Sequence, residues 1–256
     1  GQKEASSELL ASICDALVRG DEIGSQELQF RPGRAPRPGN YVWDVAETAG
    51  RGSAGSVGLV FQTVFLPLAL ATGSSELVLR GGTHVAWSPH VSYLEQVYLA
   101  ALARCGLEAA LNLKAWGFYP VGGGELVAQI DPQTIEIRPL SLTERAPLGR
   151  IWGTAAVSNL PSHIPQRMAN RAMNVLAEEG LKAHVEAKHV RARGPGAGIF
   201  LFTEDENGTR AGFTAYGRKG LPAEHVAEAA CEELLAYYRS GAPVDLHLAD
   251  QLILPL

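Results

Sequence analysis

Hydrophobic positions along the chain change rhythm repeatedly between a spacing near 3.6 and strict alternation, which predicts a mixed α and β protein. Leu9, Leu10, Ile13, Ala16 and Leu17 fall at helical spacing, so the chain is expected to open in a helix, with no capping residue ahead of it. Glu27-Leu28-Gln29-Phe30 alternates as a strand, and the Pro- and Gly-rich Arg31 to Gly39 reads as a turn. Tyr41 to Ala46 predicts a strand, Val57 to Ala71 a buried core helix, Glu76 to Arg80 a strand, and Pro89 to Cys105 a helix. Leu107 to Ala115, Glu125 to Ile130 and Thr134 to Ile137 complete a set of strands. The unit so described runs β-α-β-α-β-β.

A second regime begins near Arg145. Ile151 to Val157 predicts a strand, Ile164 to Ala177 a helix, and Lys182 to Ala187 a strand. Ile199 to Thr203 and Gly212 to Tyr216 form a hairpin around Glu206-Asn207-Gly208, and Pro222 to Arg239 is a helix with Val226, Ala230, Cys231, Leu234 and Leu235 on one face. This order, β-α-β-β-β-α, marks a smaller α/β domain. At Ala242-Pro243 the chain is expected to return to the larger one.

Composition changes the picture in three ways. No run of about 18 uninterrupted apolar residues exists, so no membrane span is expected, and the start carries no signal-peptide pattern, which makes a cytoplasmic setting the default. Cys14, Cys105 and Cys231 are odd in number and lie among apolar neighbours, as small core residues do. The formal charge of −5 gives no global attraction to nucleic acid, but leaves room for a local basic groove. The helical opening and the apolar Leu252 to Leu256 at the other end suggest a segment cut from a longer protein.

Candidate chemistry is sparse. Gly52-Ser53-Ala54-Gly55-Ser56 at a helix start can cradle an anion, or can simply let the helix pack on the sheet; it lacks the lysine of a P-loop. Gln62 and Thr63 interrupt an apolar helix face and need partners, from backbone or ligand. The loop Gly81-Gly82-Thr83-His84, followed by Ser88-Pro89-His90, stands at a strand end where ligands often bind, and no Cys or carboxylate at matching spacing supports a metal there. Gly122-Gly123-Gly124 requires a tight hairpin or close approach to another backbone or a ligand. Phe213 reads as a core aromatic. His247, Asp250 and Gln251 place an aromatic ring, a carboxylate and an amide within one turn, suited to a nucleoside or equally to a helix start.

Taken in order, Gly24-Ser25-Gln26-Glu27-Leu28, Gly52 to Ser56 with Gln62-Thr63, Gly81-Gly82-Thr83, Tyr93-Leu94, Gly117-Phe118-Tyr119-Pro120 with Gly122-Gly123-Gly124-Glu125, and His247-x-x-Asp250-Gln251-Leu252 resemble the RNA 3′-terminal phosphate cyclase family. The resemblance implies an α/β (α+β) fold of repeated β-α-β-α-β-β units, like the C-terminal domain of translation initiation factor three, with a smaller thioredoxin-like domain inserted. Residues 1–144 would belong to the large domain, 145–242 to the insert, and 243–256 to the return. It also implies ATP and a divalent metal, Mg or Mn, and an RNA 3′-phosphate end converted to a 2′,3′-cyclic phosphodiester through an enzyme–AMP adduct. Gln62, Pro89, Phe213, His247, Asp250 and Gln251 would surround the adenylate, with His247 or Pro89 against the base.

Two departures accompany the resemblance. The family's nucleophilic histidine would fall beyond Leu256, so none of the seven histidines here takes that role and this segment alone is expected to form no adduct. Gln2-Lys3 stands where the family commonly has Gln-His, and a lysine can meet phosphate without an imidazole's proton chemistry. Two rival readings are a non-catalytic cyclase-like factor in ribosome or rRNA maturation, which has no need of an adenylate pocket, and an enolpyruvyl-transferase-like enzyme. The latter expects basic sugar-phosphate loops that these glycine loops lack.

Overall fold

The computed structural model describes residues 2–22, 24–45, 54–133 and 137–255, with Lys3 described by its backbone alone. The described chain groups into two compact units, one of residues up to 91 with 106–137 and one of 92–105 with 138–256.

In the first unit, α1 (Gln2–Cys14) buries Ala5, Leu9 and Ile13, which recur one turn apart. The helix ends sooner than its apolar spacing predicts. Asp15 turns the chain at a positive φ of 47° and Leu17 is 57% exposed, because it belongs to β1 (Leu17–Arg19), which pairs antiparallel with β2 (Gln29–Arg31). Sequence periodicity misplaced Ala16 and Leu17 on the helix and missed this three-residue strand.

The main sheet of this unit contains β3 (Asn40–Asp44), β4 (Ser75–Gly81), β5 (Ala109–Ala115) and β6 (Gly124–Ile130), in the order β3-β4-β6-β5. β3 and β4 run parallel, and their crossover is α2 (Val57–Ala69), whose Ser56 caps it by accepting from the Leu59 N–H at 3.3 Å. β6 pairs antiparallel with both β4 and β5. Phe61, Phe65 and Leu68 of α2, Leu77 and Leu79 of β4, and Leu126, Ala128 and Ile130 of β6 are all fully buried. The alternation along β4 and β6 therefore sets their register by burying one face. Ala46, Gly52, Ser53 and Thr134 to Glu136, which fall in three of the expected features, lie outside the described residues.

The helix expected from Pro89 is α3. It begins at Val91–Tyr93, widens into a π turn over Leu94–Tyr98 and resumes at Leu99–Ala103. Leu94, Val97 and Tyr98 are buried.

The second unit holds a mixed sheet of β7 (Leu148–Ser158), β8 (Ala183–His189), β9 (Gly196–Asp205) and β10 (Arg210–Tyr216), ordered β10-β9-β7-β8. β7 and β8 are parallel, joined by α4 (His163–Glu178); β9 is antiparallel to β7, and β10 to β9. The predicted hairpin closes where the Asp205 carboxylate accepts from the Asn207 and Thr209 N–H groups at 3.0 and 2.8 Å, while Gly208 takes φ 77°. α5 (Ala223–Ser240) follows. Ile151, Ala155, Val157, Val185, Ile199, Leu201, Ala211 and Phe213 form one face of the sheet and share a core with Met168 and Leu176 of α4 and Val226 and Leu234 of α5. On the outer side of the helix pair, Arg167 binds Glu224 at 2.7 Å and Arg171 binds Glu228 at 2.7 Å. Cys14, Cys105 and Cys231 are free and buried, as expected of small core residues. Among the described residues no helix is long and apolar enough to cross a membrane.

Candidate functional site

The last helix, α6 (Leu246–Gln251), is only six residues long and cannot hold itself together by its own hydrogen bonds. It is held by Asp245, which is 2% exposed. Its carboxylate caps the helix by accepting from the Leu248 N–H at 2.9 Å, and also accepts from the Tyr93 hydroxyl at 2.9 Å and the Gly212 N–H at 3.1 Å. Burial pushes the Asp245 carboxyl above its ordinary range, opposed by those three donors and by His247. Burial, then the Asp245 charge, raises the Tyr93 hydroxyl. Sequence reasoning passed over Asp245. Its signal was local: an Asp three residues before a buried Leu is the mark of a helix start.

This anchoring turns His247 and Asp250 outward. His247 and Asp250 are exposed and Gln251 is half-buried, spaced three and four residues apart and thus on one side of the helix. The His247 ring meets Tyr93 edge-on, with centroids 6.4 Å apart. Glu233 of α5 is partly buried, which raises its carboxyl, while His247 pulls it back. Since α6 begins after Asp245, Asp250 lies in its last turn, and the helix-start explanation of this carboxylate does not apply.

The glycine motifs of the first unit serve backbone contact. Gly82 N–H donates to Gly55 O at 2.8 Å and Val57 N–H to Gly82 O at 3.0 Å, so the Gly55-Ser56 backbone joins the end of β4. A Cβ on Gly81 would stand 2.7 Å from Gly55 O, and one on Gly82 2.7 Å from Ala54 O. Gly117 is bound from both sides. Its carbonyl accepts from the Thr83 and His84 N–H groups at 3.0 and 2.9 Å, and its N–H donates to the Thr83 hydroxyl at 2.9 Å. A Cβ there would lie 2.4 Å from Gly81 O and 2.5 Å from Gly124 N. Gly122, at φ 63°, closes a hairpin by donating to Phe118 O at 2.8 Å. Tight turn and close approach are thus both present. The Gln2 side-chain amide adds a further tie, accepting from Ser56 N–H at 2.7 Å and donating to Ser56 O at 3.0 Å.

His84 and His90 are buried. His84 lies flat on Trp116 with centroids 3.8 Å apart, and His90 stacks beyond it at 5.3 Å. Thr83 Oγ1, which accepts from Gly117 N–H, lies 2.9 Å from His84 Nδ1. Burial, and then His90, hold His84 well below the usual imidazole range, and burial lowers His90 to about 3. Both rings are neutral members of an aromatic stack. Among the described residues no three His, Cys, Asp or Glu side chains gather to hold a metal ion, so the expected divalent metal is given no site here.

The six sequence-predicted residues divide between the units. Gln62, on α2, and Pro89, before α3, are half-buried in the first; Phe213, His247, Asp250 and Gln251 belong to the second. Phe213 presents least surface, at 3%, and packs on Tyr237 with centroids 5.5 Å apart. Thr63 is satisfied by backbone, donating to Leu59 O at 2.9 Å.

The class these sheets define is a mixed α+β protein. Within that class the similarity is specific: the profile of the RNA 3′-terminal phosphate cyclase family matches residues 2–256. A protein named RNA 3′-terminal phosphate cyclase from Nostoc punctiforme is 52% identical over 243 residues, covering 95% of this chain and 69% of the relative. Its namesake from Methylococcus capsulatus is 50% identical over 246 residues (96% and 68%), and that from Methanothermobacter thermautotrophicus 37% over 247 residues (95% and 69%). The chain belongs to the RNA 3′-terminal phosphate cyclase family, a family of enzymes.

Proposed function

We propose that the chain supplies the adenylate-binding part of an ATP-dependent, cytoplasmic cyclase that converts an RNA 3′-phosphate to a 2′,3′-cyclic phosphodiester. The observation that carries this reading is the one-sided display of His247, Asp250 and Gln251 on a short helix pinned from behind by Asp245. The donor set suits a nucleoside: an exposed imidazole gives a stacking face, a carboxylate accepts from ribose hydroxyls, and an amide can do both. His247 offers its ring to the base, and Phe213 supports the set by fixing β10, whose Gly212 N–H holds Asp245.

ATP supplies AMP as a leaving group, which lets the vicinal 2′-hydroxyl close on an otherwise unreactive phosphate. The residues of this chain named here bind and orient. We take 145–242 as a thioredoxin-like insert between the large-domain portions 1–144 and 243–256, the latter built on the repeat named above.

Calorimetric titration of the chain with ATP or AMP tests the reading. Binding is expected, and Asp250→Ala should weaken it at least about tenfold, the loss of one charge-assisted hydrogen bond. Equal affinity in the variant would remove Asp250 from the site, and absence of binding by the unmodified chain would remove the site itself.

A further inference from the structure

The second unit's sheet has two unlike ends. Ser158 pairs with Gly196, Val157 with His189, and Gly198 with Tyr216, so the end of β7, the end of β8, the start of β9 and the end of β10 all meet at one edge. The connections that leave there, residues 159–162, 190–195 and 217–222, contain Arg191, Arg193, Arg218 and Lys219 and no Asp or Glu. All four cations are exposed, and none has an ion-pair partner among the described residues. Four other arginines of the same unit are ion-paired, Arg167 with Glu224, Arg171 with Glu228, Arg210 with Glu204 and Arg239 with Glu179. Between the uncharged connection 159–162 and the basic connection 190–195 lies an open cleft of about 620 Å³, walled by Asn159, Pro161, His189 and Arg191 among others.

We propose that this edge binds the phosphodiester backbone of single-stranded RNA, on the 5′ side of the 3′-phosphate that is cyclised. The proposal rests on the reading above that the protein handles RNA ends. A chain of net charge −5 repels polyanions as a whole, so four uncompensated cations on acid-free loops create a local field of opposite sign. Their exposure suits phosphates that keep much of their hydration, and the cleft is open enough for a strand to cross rather than for a small molecule to be enclosed. Phosphate contacts of this kind give affinity without sequence preference and show in salt dependence.

The test uses the protein as described, a fluorescent 20-nucleotide RNA ending in 3′-phosphate, and AMP. Replacing Arg191, Arg193, Arg218 and Lys219 together by Gln should weaken the long RNA at least tenfold at low salt. It should also lower the slope of log affinity against log salt by about 2 to 3, at roughly 0.7 for each lost contact to a single strand. Affinity for AMP should be unchanged, as should long-RNA binding when Arg167 and Arg239 are replaced by Gln instead. An unchanged slope in the fourfold variant, or an equal loss from the Arg167 and Arg239 replacement, overturns the proposal. Failure of the unmodified protein to bind AMP would count against the proposed function, while the salt slope still reads the basic edge.

Discussion

His84 and His247 occupy opposite surroundings. His84 is 5% exposed, flat on Trp116 and beside the Thr83 hydroxyl, inside a group of glycine loops whose backbone groups bind one another. His247 projects into solvent from a helix whose anchoring is done by another residue, Asp245. The first region interlocks, and its polar groups stabilise the fold. The second separates the anchor from the display, which is what leaves side chains available to a ligand.

The largest expected effect breaks the interlock. Gly117→Ala drives a methyl into the backbone of Gly81 and Gly124, neither of which can rotate away, and should cost about 3 kcal/mol in urea unfolding. A cost below about 1 kcal/mol would show that the loops yield.

Next comes the division of labour on α6. Asp245→Ala strands the Tyr93 hydroxyl and two backbone N–H groups and should destabilise by about 2 kcal/mol. Asp250→Ala, at an exposed site, should stay within about 0.5 kcal/mol while weakening nucleotide binding. Equal destabilisation by the two substitutions would erase the distinction between anchor and display.

A further effect is in pH. His90 titrates at about 3 when folded and near 6.5 when unfolded, so between those values the unfolded chain binds the extra proton. Stability from this group is full above pH 6.5 and falls as pH drops toward 3, by up to about 1.4 kcal/mol per pH unit. Asp245, whose carboxyl is raised, acts with the opposite sign above the unfolded carboxylate range. His90→Phe, compared with the unmodified chain by denaturant titration at pH 7 and pH 5, should flatten the decline and isolate the histidine; an identical slope in both would refute the assignment.

Much of the fold was legible because burial imprints its period on sequence. The alternation of β4 and β6, the apolar face of α5 and the Glu206-Asn207-Gly208 turn all follow from local rules. β1 was not legible, since three residues set no period and Leu17 continued the helical one. The π turn in α3 left the apolar spacing nearly unchanged and so gave no sign. Within the candidate site, the outward polar group of α6 could be read from its own turn. The capping position of Asp245 was readable too, but its burial against Tyr93 and Gly212 was not, because they lie 152 and 33 positions away. The glycine motifs were visible as strings, but their cause, oxygen atoms of distant peptides standing where a methyl would go, is a property of the folded chain alone.

The paired arginines of α4 and α5 have a consequence in mechanics. Arg167–Glu224 and Arg171–Glu228 repeat after four residues on both helices, so the two helices run parallel at a fixed offset. Exposed pairs of this kind contribute little energy. They act instead as the teeth of a rack: sliding one helix past the other by a full turn would leave one cation and one carboxylate without a mate, and sliding by half a turn would leave all four so. The stagger of the helices, and with it the alignment of the strands beneath, is thereby indexed at the surface.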